Sequence, residues 1–296
     1  MALLTEEFEA HLRSRTTHVC RAWAITRSDG VQLGFTDHDK SLSFEGCDFK
    51  ADTGLAAAAV SQATGLAVDN TEAVGVLSDA AITEADIAAG RFDGAEVRAW
   101  LVNWREPQQR MLLFRGSIGE VSRTGGAFTA ELRGLTEALN VPRGRVFQAP
   151  CAAVLGDGAC KFDLTQPGFV FEGEVELVEE RKRFTFSALN GFDDRWFEAG
   201  RCEMVSGAAA GLAAMIKNDR LTADGRIVEL WEALRAPIEV GDTVRFVAGC
   251  DKRIETCRLK FNNIVNFRGF PHIPGEDWMM SYPSDAVSLD GGSLFQ

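Results

Sequence analysis

The run Cys20-Arg21-Ala22-Trp23-Ala24-Ile25-Thr26-Arg27, the turn Ser28-Asp29-Gly30 and the run Val31-Gln32-Leu33-Gly34-Phe35-Thr36 decide the fold class. Two short segments rich in aromatic, β-branched and small apolar residues flank a glycine suited to positive φ, which is the signature of a β-hairpin. Leu42-Ser43-Phe44 and Cys47-Asp48-Phe49 alternate around Glu45-Gly46 in the same manner. Upstream, residues 5–15 place Phe8 and Leu12 four apart, with Glu early and Arg late, and predict a short helix. Residues 83–89 predict another, with Thr83 and Asp86 as a variant capping box. Residues 97–104, 111–118 and 128–132 read as strands, the last two joined across Thr124-Gly125-Gly126.

Proline, glycine and arginine interrupt this pattern between residues 142 and 150. The chain therefore divides into a β-rich domain over 1–147, a second domain over 148–272 and an arm over 273–296. In the second domain, residues 169–177, 183–189, 202–206, 213–217, 227–230 and 243–248 are short strands at regular spacing, as in a small barrel or sandwich. Residues 231–234 predict a helical turn. The arm, ending in Asp290-Gly291-Gly292-Ser293, reads as a segment that packs on something else or hangs loose.

The bulk numbers fit a mainly β, folded chain. With 296 residues there is enough for one large domain or two ordinary ones, and 46% hydrophobic with 25% charged residues excludes disorder. A net charge of −12 argues against a nucleic-acid surface, because such a surface needs clustered Lys and Arg to neutralise phosphates. The densest basic run, Arg181-Lys182-Arg183, lies beside Glu179 and Glu180 and reads as a solvated turn. No stretch approaches the roughly 18 apolar residues of a membrane span. The acidic N-terminus has no signal-peptide core, so the chain is expected to fold in the cytosol with its thiols reduced.

Seven cysteines remain to be explained. Cys20, Cys47 and Cys202 sit in strand-like segments, where a free cysteine behaves as a small buried hydrophobe. Cys151 and Cys160, with eight residues between them, and Cys250 and Cys257, with six, lie in segments poor in strand signals. One pair precedes the barrel-like strands and the other follows them, so a nearly closed barrel brings the two together. Four thiolates in a reducing compartment bind a soft or borderline metal. The spacing is wider than the knuckles of structural zinc sites and suits an iron–sulfur cube, [4Fe–4S], with zinc as the alternative. Such a centre would be structural, clamping loops that have no sizeable core.

Catalytic motifs are weak. Thr36-Asp37-His38-Asp39 ends a predicted strand, where alternation splits Asp37 and Asp39 from His38, and a turn with Asp capping backbone amides is expected. His11, His18 and His272 are scattered, with no partner at catalytic spacing. No nucleophile elbow, phosphate loop or zinc-peptidase motif is present, so no enzyme is expected. A redox or hydrolytic enzyme is the rival reading, and it requires a deep pocket with perturbed titratable groups.

Several strings together resemble a phage protein family. Arg27-Ser-Asp-Gly30, Gly34-Phe-Thr-Asp-His-Asp39, Gly90-Arg-Phe-Asp-Gly94, Val102-Asn-Trp104 and Leu155-Gly-Asp157 resemble the conserved tail protein of prophages and gene transfer agents. Gly249-Cys-Asp-Lys252, Thr256-Cys257 and the block Lys260-Phe-Asn-Asn-Ile-Val-Asn-Phe-Arg-Gly-Phe-Pro271 resemble the end of that family, and also the iron–sulfur tail-tip protein of lambda-like phages. The likeness covers nearly the whole chain. It implies a baseplate hub at the virion tail tip, assembled in the host cytoplasm from two β-barrel-like domains, with Cys151, Cys160, Cys250 and Cys257 as cluster ligands. It further implies a trimer between the distal tail protein and a central tip or fibre protein, with DNA passing through the lumen. An acidic lumen would let DNA slide without sticking.

Overall fold

The computed structural model describes residues 5–51, 55–57, 70–76, 82–124, 127–135, 144, 146–223 and 225–273. Among them are sixteen strands in two sheets and three short α-helices, so the chain is mainly β, as the alternation predicts. Residues 274–296 of the expected arm over 273–296, and residues 142, 143 and 145 of the expected boundary near 142–150, lie outside the described residues. No described helix is long and apolar enough to cross a membrane.

The first sheet contains β1 (Val19–Thr26), β2 (Gln32–Thr36), β3 (Leu42–Phe44), β4 (Cys47–Lys50), β5 (Leu55–Ala57), β6 (Asn70–Val76), β7 (Glu96–Asn103), β8 (Arg110–Thr124) and β9 (Ala127–Gly134). Their order is β3-β4-β2-β1-β7-β8-β9-β6-β5. The predicted hairpin is β1 with β2, Trp23 facing Phe35 across it and Gly30 at φ +85° in the turn. β1 is buried on both faces. Trp23 and Ile25 enter one core with Phe35, Val97 and Phe114, while Ala22 and Ala24 enter another with Phe44, Phe49 and Trp100. Both predicted helices form: α1 (Glu6–Arg13) is capped by Thr5, and α2 (Glu84–Ala88) by Thr83, whose hydroxyl accepts from Asp86 N at 3.1 Å.

The second sheet contains β10 (Val170–Glu174), β11 (Leu177–Glu179), β12 (Arg183–Phe186), β13 (Arg201–Met204), β14 (Ala213–Thr222), β15 (Gly225–Leu230) and β16 (Thr243–Val247). Its order is β10-β16-β13-β14-β15-β12-β11. The single strand expected over 169–177 is two strands, at opposite edges of the sheet and joined only by Val175 and Glu176. Edges tied that closely force the sheet to curl into a half-barrel. Buried Val175 makes the corner, with its N–H donating to Asp242 O (2.8 Å) and its carbonyl accepting from Gly241 N (2.9 Å). Phe184, Phe186, Phe197, Met204, Ile216 and Phe246 fill the interior. Residues 231–234 are not the helical turn expected of them, whereas the basic run at 181–183 does make a turn, with Glu180 and Arg181 at positive φ.

One charged pair sits inside this core. Arg226 and Asp219 are both fully buried, joined by Arg226 Nε to Asp219 Oδ1 (2.6 Å) and Nη2 to Oδ2 (2.9 Å). The guanidinium also donates to Phe192 O (3.0 Å) and Asp193 O, and Asp219 Oδ2 accepts from Phe197 N (2.7 Å). The pair thereby ties the segment between β12 and β13 across the barrel. Between the sheets, Arg91 Nη2 donates to Ala208 O (2.7 Å) and Arg235 pairs with Asp93 (2.9 Å).

Candidate metal centre

The segment after residue 146 has no strand until β10, and the segment after β16 has none at all among the described residues. Their backbones depend on side-chain hydrogen bonds. Asp157 accepts from Cys160 N (2.6 Å), Val154 N (2.9 Å) and Ala159 N (2.9 Å), which folds the first cysteine loop into a tight turn. Those amides, Cys160's foremost, hold its carboxyl below the usual carboxylate range. The second loop is pinned by Lys260, whose ammonium donates to Gly249 O (2.9 Å) and to Trp196 O, while Gly249 N donates to Trp196 O (2.9 Å). Burial pushes Lys260 down to about 8. Gly249 has no room for a side chain, since a Cβ there would lie 1.7 Å from Glu198 O.

The two loops join each other. Cys151 N donates to Lys252 O (2.8 Å), and Lys252 Nζ returns a bond to Ala153 O. Cys257 lies on α3 (Ile254–Leu259), a helix that the sequence reading assigned to loop. Cys151, Cys160, Cys250 and Cys257 all line one small cavity of about 20 Å³, together with Phe261, Asn263 and Asn266. Burial raises the pKa of the Cys250 and Cys257 thiols. For Cys257 the charges of Cys151, Cys250 and Cys160 add to that rise, in that order. Four thiolates sharing so small a space repel one another, and a cationic centre removes that repulsion.

All seven cysteines are free thiols. Cys20, Cys47 and Cys202 are buried in the sheets, as their strand positions imply, and burial pushes Cys20 up to about 11 and Cys202 up to about 12. Among the described residues no group of three or more His, Cys, Asp or Glu side chains is arranged to hold a metal ion. The four cysteines therefore share a cavity without closing on one point as ligands. A tetrahedral zinc needs each sulfur about 2.3 Å from the ion. An iron–sulfur cube takes one sulfur on each of its four irons, so the four free cysteines around the cavity supply the donor count of either group.

The other candidates behave differently. Asp37 accepts from Arg21 N (2.7 Å), the backbone-capping role expected for it. The histidines are less scattered than expected, because the first sheet folds their segments together. His18 N donates to His11 Nε2 (2.9 Å), the two rings stack at 5.6 Å, and His18 and His38 each pack on the Trp104 ring, at 5.3 and 4.8 Å. A trough of about 600 Å³ runs beside the cysteine cavity over β10, β13 and β16 and shares Leu155, Cys250 and Lys252 with it. Its lining includes one carboxylate, Glu203, beside Arg201 (3.8 Å), and no histidine.

Comparisons with known proteins agree with this architecture. Residues 5–163 match the family model of the baseplate hub protein N-terminal attachment domain. Residues 195–277 match a family described as a phage conserved hypothetical protein. A solved chain from the virion of a native gene transfer agent particle is 57% identical, with a TM-score of 0.91 over 98% of this chain and 100% of that one. No curated protein sequence matches.

Proposed function

This chain belongs to the baseplate hub protein family, and on that footing we propose that it is a structural subunit of the tail tip of a phage-like gene transfer particle. The carrying observation is the 57% identity, over 98% of the chain, to a chain of a native gene transfer agent virion. The mainly β architecture suits the role, since a half-barrel with exposed edges is completed by neighbours in an assembly. In this reading the hub is a trimer that connects the distal tail protein to a central tip or fibre protein. DNA passes through its lumen without sequence-specific contact, consistent with the net charge of −12. The role is structural and not enzymatic.

Cys151, Cys160, Cys250 and Cys257 would hold an iron–sulfur cluster, [4Fe–4S], between the two strand-free loops. When bound, the cluster would add a covalent cross-link to the hydrogen bonds that already join these loops. The chain's own residues orient the ligands: Asp157 shapes the Cys160 loop, and Lys260 fixes the Cys250 loop on Trp196. Zinc in the same position is the second reading, supported by the same four sulfurs. The hub assignment is tested by purifying particles from cells expressing an epitope-tagged chain and imaging them with gold-labelled antibody. Gold at the far end of the tail is expected; gold on the head, or tag found only in the particle-free fraction, contradicts it.

A further inference from the structure

The block 260–271 is the most distinctive string in the sequence; it forms no strand, and of its residues Phe261 alone is buried, in a small cluster with Phe162 and Ala248. Three of its residues reach the cysteine cavity. Asn263 Nδ2 donates to the carbonyl of Cys160 at 2.8 Å and to Cys160 Sγ at 3.5 Å. The Asn263 carbonyl accepts from the Cys257 thiol at 3.4 Å, so one residue touches a cysteine from each loop. Asn266 Nδ2 donates to Asn263 Oδ1 at 2.7 Å. This fixes the orientation of the Asn263 amide, since a carbonyl on one side and an NH₂ on the other leave only one way to place its oxygen and nitrogen. Arg268 N donates to Cys151 Sγ at 3.3 Å. Gly269 lets the block lie against the chain leading into Cys151, where a Cβ would stand 2.4 Å from Ala149 O.

Two of the four sulfurs, those of Cys160 and Cys151, thus have an N–H donor aimed at them from the protein. Hydrogen bonds of this kind orient ligands and spread the negative charge of thiolates. At iron–sulfur centres they favour the reduced, more negative state and so raise the reduction potential.

We propose that Asn263 is the positioning residue of this centre. Its side-chain amide, held by Asn266, sets the orientation of Cys160 and tunes the group that the four cysteines bind. The inference deepens the proposed function and rests on a metal centre being bound there.

The test uses the full chain purified without oxygen, as wild type, Asn263→Leu and Asn266→Ala. Iron per chain, the rate of iron loss to a chelator and the reduction potential by dye-coupled titration are measured on each. Asn263→Leu is expected to lose iron about 10- to 100-fold faster and to shift the potential to more negative values. Asn266→Ala leaves every direct cysteine contact in place. It is expected to give a smaller shift in the same direction, and it provides the reading if the leucine variant does not fold. Wild type holding iron while both variants match it in potential and iron loss overturns the role of Asn263 and leaves the cluster intact. Wild type holding no metal overturns both.

Discussion

Replacing Asp219 with asparagine keeps the shape of a fully buried side chain and removes its charge. Asp219 accepts three hydrogen bonds: Arg226 Nε on one oxygen, and Arg226 Nη2 and Phe197 N on the other. An asparagine oxygen can serve the second pair, but its NH₂ then faces the Nε–H donor. A guanidinium is left in the core with that oxygen and the carbonyls of residues 189, 192 and 193, but with no anion to balance its charge. Breaking one side of a buried pair costs about 3–5 kcal/mol. For a domain of this size that lowers the melting transition by roughly 10–20 °C. Because Phe197 N hangs on Asp219 and the neighbouring Trp196 carbonyl holds Lys260 and Gly249, the loss should reach the Cys250 loop. Scanning calorimetry is the assay. The transition of the second sheet is expected to fall while that of the first, which does not use this pair, stays in place. The double change Asp219→Leu with Arg226→Met should recover part of the loss, since an apolar pair of similar volume carries no charge desolvation cost but leaves the Phe197 amide without its acceptor. A cost below about 1 kcal/mol for Asp219→Asn, the level of a surface ion pair, would refute the reasoning.

Cys257→Ser is expected to abolish metal binding and loosen residues 249–273 while leaving the first sheet's transition unchanged; calorimetry with metal analysis checks both, and loss of folding throughout would contradict the division of the chain. Alkylation of the native protein near neutral pH should spare Cys20, Cys47 and Cys202, whose thiols burial holds protonated. Chelation of the metal should expose the other four cysteines to the reagent, as read by mass spectrometry. His18 is held below the usual imidazole range by desolvation, then by the charges of Arg105 and His11. A base with a lowered folded pKa makes the folded state bind fewer protons, so stability falls as pH drops below the unfolded value of about 6.5. Hydrogen exchange of the His18 amide, corrected for its intrinsic rate, should accelerate below that pH as the anchor of α1 weakens.

Strand existence was largely legible, because an alternating run needs only one buried face to leave its mark. What alternation cannot carry is a corner: residues 169–177 read as one strand, and only the closure of the half-barrel splits them at buried Val175. β1 reads as an ordinary hairpin strand although both of its faces are buried, since small residues at 22 and 24 satisfy either environment. α3 was missed because none of its residues is buried and Leu259 is 75% exposed, so there is no apolar stripe for a helical period to reveal. The pairing of the cysteine loops could be inferred, because a nearly closed barrel brings its two ends together. The role of Asn263 could not, because an asparagine in a loop looks alike whether it faces solvent or a sulfur. Its signal was present only as an unusual density of asparagines at 262, 263 and 266. The gathering of His18 and His38 on Trp104, with His11 stacked on His18, depends on sheet pairing between distant segments, which no local spacing encodes.

Iron and acid-labile sulfide, quantified together on the full chain isolated without oxygen, address the metal centre most directly. The account predicts about four of each per chain, the content of a single cube, and their disappearance in Cys151→Ser. One zinc per chain with no sulfide, or no metal in a folded protein, would contradict it.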